Sequence, residues 1–377
     1  MCYKRLILFL FILFTATSLL AAEEKDGLVE EFYPNGVLNS QRNYANGKLN
    51  GAYKTYYENN QLAFIKNFVN GLLEGEVKEY YEDGTPKSEE HYHNDQFAGT
   101  CRYYFPNGKL QFEMNFADGK LEGLSSEYYE SGQLKSQINY HEGEWNGVVT
   151  EYSQEGQLQE KWNYKNGKRQ GNAEIYHSGG NLKWKALFKN DLIDGVSYAY
   201  SPLGVQIAEV PFRNGKLHGT VIEYYDNGAI QKATQYNNDL ADGEGKEYFP
   251  DGKLRVEKQY KKGSETGVSK EFFENGTLWI TRNYYNENRD GVLREYYITG
   301  ELKQEWPIKQ GLLSGLSKVY YGSGELMNEE NYVAGKKDGP SSQYYRNGLK
   351  AYEDIYKNGE RVSRKSFDEK GAAHASE

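Results

Sequence analysis

From Gly27 to Val362 one pattern of 24 residues returns fourteen times with no insertion or deletion. A period held that strictly argues against a chain folded round one closed core. Each copy is a supersecondary unit that buries its apolar face by stacking on its neighbours. With the positions of the unit numbered as slots 1 to 24, slot 1 is Gly in every copy, from Gly27 and Gly51 to Gly339. Slot 6 is Phe or Tyr throughout, from Phe32 to Tyr344, and slot 18 is aromatic except at Ile308. Slot 10 is Gly except at Asn60, and slot 12 is aliphatic except at Pro86, Gln206 and Lys350.

Two short strand-like runs fill the unit, slots 2 to 7 and slots 11 to 18, with glycine-bearing turns between them. The first turn is clearest in Pro34-Asn35-Gly36, Pro106-Asn107-Gly108 and Pro250-Asp251-Gly252. Pro fixes φ at the first corner, Asn or Asp suits the second, and Gly takes the left-handed position that follows. That chemistry predicts a three-residue hairpin loop with a bulge, which sets slot 6 opposite slot 12. Alternation of side chains along a strand then predicts that slots 6, 12, 14, 16 and 18 share one packed face and that slot 7 points the other way. The second connection, slots 19 to 24, leaves two forms open. A two-residue turn alone would flip the face of slot 6 in the next unit; a longer loop, or a bulge closed by the slot-1 Gly, would restore the register. The fold expected is all-β, an elongated antiparallel meander of about 28 strands forming an open, twisted sheet or ribbon.

Composition supports an open sheet over a sandwich. Apolar residues are only 38% of the chain, yet there are 35 Tyr and 16 Phe. Aromatic side chains favour strands, and Tyr buries its ring while its hydroxyl stays wet.

Residues 1–22 differ in kind. Lys4 and Arg5 precede an apolar run from Leu6 to Phe14, with Ala21 and Ala22 at a small-residue cleavage region, the arrangement of a secretory signal. An uncleaved anchor is the alternative, since the run to Ala22 is barely long enough to span a bilayer. The organisation expected is a signal over 1–22, a short linker over 23–26, the repeat array over 27–362 and a polar tail over 363–377 that frays. Loss of Lys4 and Arg5 with the signal lowers the net charge from -9 by two, to -11. That acidity disfavours nucleic acid and anionic membrane surfaces as partners. No stable membrane insertion is expected after cleavage, and the location expected is periplasm, cell surface or medium. Cys101 is the one cysteine left outside the signal, so no internal disulfide forms.

No constellation of catalytic residues breaks the period, no cofactor motif is present, and an enzyme is not expected. Glu recurs at slot 5, as in Glu31, Glu79, Glu127 and Glu151, and a residue repeated once per unit belongs to the scaffold. His91 and His93 lie two apart on one strand but lack a third ligand, so neither metal nor cofactor is expected. Slot 7 is the better candidate for binding. It is aromatic at Tyr33, Tyr57, Tyr81, Phe105, Tyr129, Tyr225, Phe249, Phe273, Tyr297, Tyr321 and Tyr345. Regularly spaced exposed aromatics would hold a protein or glycan by stacking; packing on one another and on slot-23 residues such as Leu49, Leu121 and Trp145 is the structural alternative. The stripe breaks in three consecutive units at Ser153, His177 and Ser201. Trp162, Trp184, Gln206 and Pro211 fall in the same stretch, which marks residues 150–212 as a candidate bend or contact patch.

Tyr44-Ala45-Asn46-Gly47-Lys48-Leu49-Asn50-Gly51 and Glu127-Tyr128-Tyr129-Glu130-Ser131-Gly132-Gln133-Leu134 carry a pattern that resembles the bacterial variant of the MORN repeat, the kind found in YwqK-like antitoxins. The resemblance covers residues 27–362 and implies an elongated antiparallel sheet with a role in interaction or scaffolding. The function expected is an exported, non-enzymatic scaffold that binds a protein or surface partner, adhesin-like or within the envelope. The alternative is an antitoxin or immunity-type protein that sequesters one partner.

Overall fold

The computed structural model describes residues 26–284 and 289–374, and the expected signal lies outside the described residues. They form 34 strands and no helix. Contacts divide the chain into two units, residues 1–144 and 145–377. Within the first, Gly27–Phe32 pairs with Leu38–Ala45, which pairs with Lys48–Tyr56, which pairs with Leu62–Val69, each antiparallel. Within the second, Leu158–Lys165, Lys168–Tyr176, Leu182–Lys189 and Gly195–Tyr200 follow one another in the same way. Strand order is chain order in both, so each unit is an open meander, as the repeat predicts.

The first turn has the geometry its residues demand. Tyr33 N donates to the Val37 carbonyl at 2.7 Å and Gly36 N to the Tyr33 carbonyl at 2.9 Å, with Gly36 at φ +85°. Phe32 pairs with Leu38, so slot 6 does stand opposite slot 12. A second bulge follows at once, however: Glu31 pairs with Ser40, which leaves Asn39 as an extra residue. The result is visible in the fifth repeat, where both Lys135 and Ser136 reach the same carboxylate of Glu127, at 2.7 and 3.3 Å. Slots 13 and 14 therefore lie on one side, and the bulge reverses the facing of slot 12 relative to slots 14, 16 and 18.

This corrects the expected faces. Slots 14, 16 and 18 share a face with slots 1, 3, 5, 7, 13 and 23. Slot 6 lies on the other side, with slots 4 and 15: the Tyr104 hydroxyl donates to Glu89 at 2.9 Å and that of Tyr224 to Glu209 at 3.0 Å. Adjacent tyrosines such as Tyr128 and Tyr129 do divide between faces, but the slot-7 ring is the one that joins the slot-18 aromatics. The slot-4 face is laced with ion pairs, among them Arg102–Glu113 at 2.8 Å and Lys270–Glu257 at 3.1 Å. On the slot-3 face a row of small side chains is sealed beneath its larger neighbours, with Val77 1%, Cys101 0%, Ala173 1% and Ser269 1% exposed.

The second connection combines both forms left open by the sequence. Asn46 and Gly47 have φ of 52° and 69°, a two-residue type I′ turn closed by Ala45 opposite Lys48. Tyr44 pairs with Leu49 and Arg42 with Tyr53, so the later strand gains two residues, with Gly51 at φ +99° inside the bulge. An insertion of two preserves the side-chain alternation, and the slot-3 face continues into the next repeat. The carbonyl that the bulge frees is taken by a slot-17 amide: Asn43 Nδ2 donates to the Ala52 carbonyl at 3.2 Å and Asn115 to that of Leu124 at 2.6 Å.

At the carboxyl end the expected fraying is not found among the described residues. Glu360–Ser366 pairs with Lys350–Lys357, and beyond it Asp368 N donates to the Ala372 carbonyl at 2.9 Å in a turn like those of the repeats.

Gly219 has φ +117°, and a Cβ there would lie 3.0 Å from the Pro211 ring, whereas Gly179 has no positive φ and open space around it. Gly219→Ala is expected to destabilise by about 1–3 kcal/mol and Gly179→Ala to be neutral or stabilising by up to about 1 kcal/mol. Urea unfolding followed by far-ultraviolet circular dichroism measures both.

Candidate functional site

The slot-7 side chains are half-buried in every repeat, not laid open on a free face. Their hydroxyls reach across to the next hairpin. Tyr33 donates to the Tyr56 carbonyl at 2.8 Å, Tyr57 to Tyr80 at 2.7 Å and Tyr81 to Tyr104 at 3.0 Å. Tyr225, Tyr297, Tyr321 and Tyr345 make the same bond, at 2.8 to 2.9 Å. A carbonyl bond of this kind contributes about 0.5–1.5 kcal/mol, and its repetition ties each hairpin end to its successor. The slot-9 amide runs parallel to it: Asn59 Nδ2 donates to the Glu82 carbonyl at 2.8 Å and Asn227 to that of Pro250 at 3.0 Å. Phe105, Phe249 and Phe273 keep the ring without the hydroxyl, and Phe273 packs on Trp279 with centroids 5.6 Å apart. Tyr129 sits beneath the Lys135 ammonium at 5.8 Å.

Where the stripe breaks, the three replacements behave differently. His177 takes over the tyrosine's bond, with Nε2 donating to the Tyr200 carbonyl at 2.9 Å. Ser153 and Ser201 turn back into their own hairpins, their hydroxyls accepting from Gln157 N and Val205 N, each at 3.3 Å. The ring volume lost at Ser201 opens a groove of about 790 Å³ on the slot-3 face of the second unit. Of the residues singled out from sequence, Trp162, His177, Trp184 and Ser201 line it, while Ser153 lies in an adjoining hollow of about 310 Å³ that His177 also lines.

The floor of the groove is built on small residues. Ala173 and Ala186 are buried with Phe188, and Trp162, Trp184 and Ile193 pack over them. Trp162 stands 6.3 Å from Trp184 and 5.7 Å from Phe188, centroid to centroid, and Trp184 stands 6.2 Å from Phe188. The Arg169 guanidinium lies 4.6 Å over Phe188 and is held there by Asp191, whose carboxylate is 3.5 Å from Nε. Trp162 Nε1 donates to Glu160 at 2.8 Å. Sequence reasoning found the two tryptophans but missed Arg169 and Phe188, which occupy ordinary slots; Phe188 follows the alternation of Trp184, while Arg169 comes to this face through its pairing with Tyr164 across the turn.

The other candidates resolve as parts of the sheet. Glu31 pairs with Arg42 at 2.7 Å and Glu79 with Lys87 at 3.3 Å. His91 Nδ1 donates to the Thr100 carbonyl at 2.9 Å, in the manner of the slot-17 asparagines, and His93 pairs with Glu74 at 3.0 Å. Among the described residues no three or more His, Cys, Asp or Glu side chains are grouped to hold a metal ion.

A family model described as the MORN repeat variant matches residues 25–46, 49–70, 73–94, 98–118, 121–142, 145–166, 217–238, 241–262, 265–286 and 313–334. It passes over residues 167–216, where most of the groove lies. No curated protein matches the chain. Among solved structures the chain overlays on a TcdB2–TccC3–Cdc42 complex at 11% identity and TM-score 0.15, covering 90% of this chain and 22% of that one. It overlays on a Photorhabdus luminescens Tc holotoxin pore at 12% identity and TM-score 0.16, with 90% and 22% covered. The chain thus spans under a quarter of these structures, and overlap so slight carries nothing about its role.

Tyr57→Phe is expected to weaken the junction between the second and third hairpins by about 1 kcal/mol, and Tyr57→Ala by more, since the ring is lost as well. Hydrogen exchange of amides in the 75–92 hairpin reads both. Cys101 is fully buried, and burial pushes its thiol up to about 11. It is expected to resist a disulfide-exchange reagent at pH 8 until urea unfolds the chain.

Proposed function

The chain belongs to the MORN repeat variant family, and on that premise we propose that it is an exported, non-enzymatic scaffold that binds a protein or surface partner. The observation that carries this reading is where the recurring residues go. Slot-7 tyrosines, slot-9 and slot-17 asparagines and slot-5 glutamates are engaged between strands or between repeats, as with Tyr57 on Tyr80, Asn59 on Glu82 and Glu127 on Lys135. The chemistry a repeat invests in is structural, and what it creates is an extended surface. Aromatic-lined concavities on such surfaces are a usual place for a ligand or partner.

Export is supported by the charged start, apolar run and small residues of 1–22. Cell fractionation of the full-length protein tests it, with terminal sequencing of the recovered chain. A product beginning near Glu23 outside the cytoplasm is expected; uncleaved chain recovered in the cytosol would overturn export and favour an immunity-type role. Binding is tested by crosslinking the mature chain to envelope extracts. One saturable partner is expected, and its absence across envelope and host material would sink the binding reading.

A further inference from the structure

The binding reading gains a specific site from one missing ion pair. In several repeats the bulge residue at slot 13 is a cation paired with the slot-5 carboxylate beside it: Lys87 with Glu79 at 3.3 Å, Lys135 with Glu127 at 2.7 Å, Lys303 with Glu295 at 2.9 Å. Lys183 holds the same place in the seventh repeat. There the two slot-5 positions that flank Trp184 across the sheet are Ile175 and Ala199. Lys183 is exposed on the groove wall, and among the described residues no carboxylate meets it.

Several of the remaining polar groups of the groove are engaged within the chain. Arg169 is held by Asp191, Trp162 Nε1 by Glu160 and His177 by the Tyr200 carbonyl, while Ser201 caps its own turn. Asp226, the other charge on the lining, has no partner among the described residues, and it lies two repeats further along the chain than Lys183. A sugar ring needs several hydrogen-bonding groups close around its aromatic platform, and here those of Arg169, Trp162 and His177 beside the rings are engaged within the chain. A single cation and a single anion separated by an apolar floor match a polypeptide instead. From Leu182–Lys189 to the turn after Lys216–Tyr224 is three strand steps, roughly 14 Å, which about four extended residues span.

We propose that this groove is a docking site for an extended polypeptide segment. Bulky apolar side chains lie over Trp162, Trp184 and Phe188, an acidic residue meets Lys183, and a basic residue about four positions away meets Asp226. The inference rests on the partner-binding reading, but it is tested on purified chain with a defined probe. Failure of export or of crosslinking therefore leaves its outcome distinct.

The probe is acetyl-Gly-Glu-Phe-Leu-Phe-Lys-Gly-amide, titrated into the mature chain and followed by tryptophan emission and by calorimetry. Its counterpart exchanges the Glu and the Lys. The first peptide is expected to bind saturably and the exchanged one roughly two- to fivefold more weakly, the range of a half-exposed ion pair. Lys183→Glu, on an exposed rim where folding is not at stake, is expected to reverse that preference. Trp184→Ala is expected to weaken both peptides by about tenfold or more, with circular dichroism checking the fold. Equal binding of the two peptides, an unchanged preference in Lys183→Glu, or saturation by maltoheptaose or phosphatidylglycerol vesicles in place of the peptide would each overturn the proposal.

Discussion

The two-residue bulge at the slot-1 glycine is the constraint on which the array depends. A type I′ turn by itself returns the chain in a fixed phase, and Asn46-Gly47 makes such a turn. The strand that follows slips by two residues against its partner, with Gly51 at φ +99° inside the slip. Two is the smallest slip that keeps every side chain on its own side, because alternation along a strand has a period of two. A side chain at that φ would be strained, which accounts for Gly at bulged junctions such as Gly51, Gly219 and Gly315; at Gly291 the strand pairs with its predecessor without a slip. The freed carbonyl would then be unsatisfied, and the slot-17 amide supplies its donor, as Asn43 does for Ala52.

With phase held in this way, the hairpin ends are aligned from repeat to repeat, and side chains can serve as rungs between them. Tyr57 and Asn59 each bond a main-chain carbonyl 23 residues on. These rungs explain why so aromatic a chain gets by with a thin core: its fully buried side chains are as small as Val77, Ser40 and Cys101. They also explain why a break in the stripe matters. A hairpin whose slot-7 residue is Ser201 keeps its turn, since the serine hydroxyl caps Val205 N. It surrenders ring volume over the face where Trp162, Trp184 and Phe188 stand, and a groove results.

Much of the fold was legible because turn chemistry is local. Pro34-Asn35-Gly36 names its turn, and the opposition of slots 6 and 12 follows from it. The assignment of faces failed a few residues later, at the bulge where Lys135 and Ser136 both approach Glu127. A bulge of that kind is marked by no residue type: slot 13 holds Asn39 in one repeat and Lys135 in another. The slot-7 residues stand out in the sequence by their spacing alone. That their hydroxyls bind the next hairpin depends on a spacing between repeats that strand-by-strand reasoning does not contain.

By itself, then, the sequence determined the period, the first turn of each unit and the region where regularity lapses. These depend on the preferred φ of Gly, Asn and Pro and on a count of residues, both properties of the chain alone. The tertiary structure decided which face each aromatic occupies, that slot-7 tyrosines are rungs, and that Lys183 lacks the carboxylate its counterparts have. Those outcomes depend on register between strands far apart in the chain, where a one-residue bulge exchanges inside for outside.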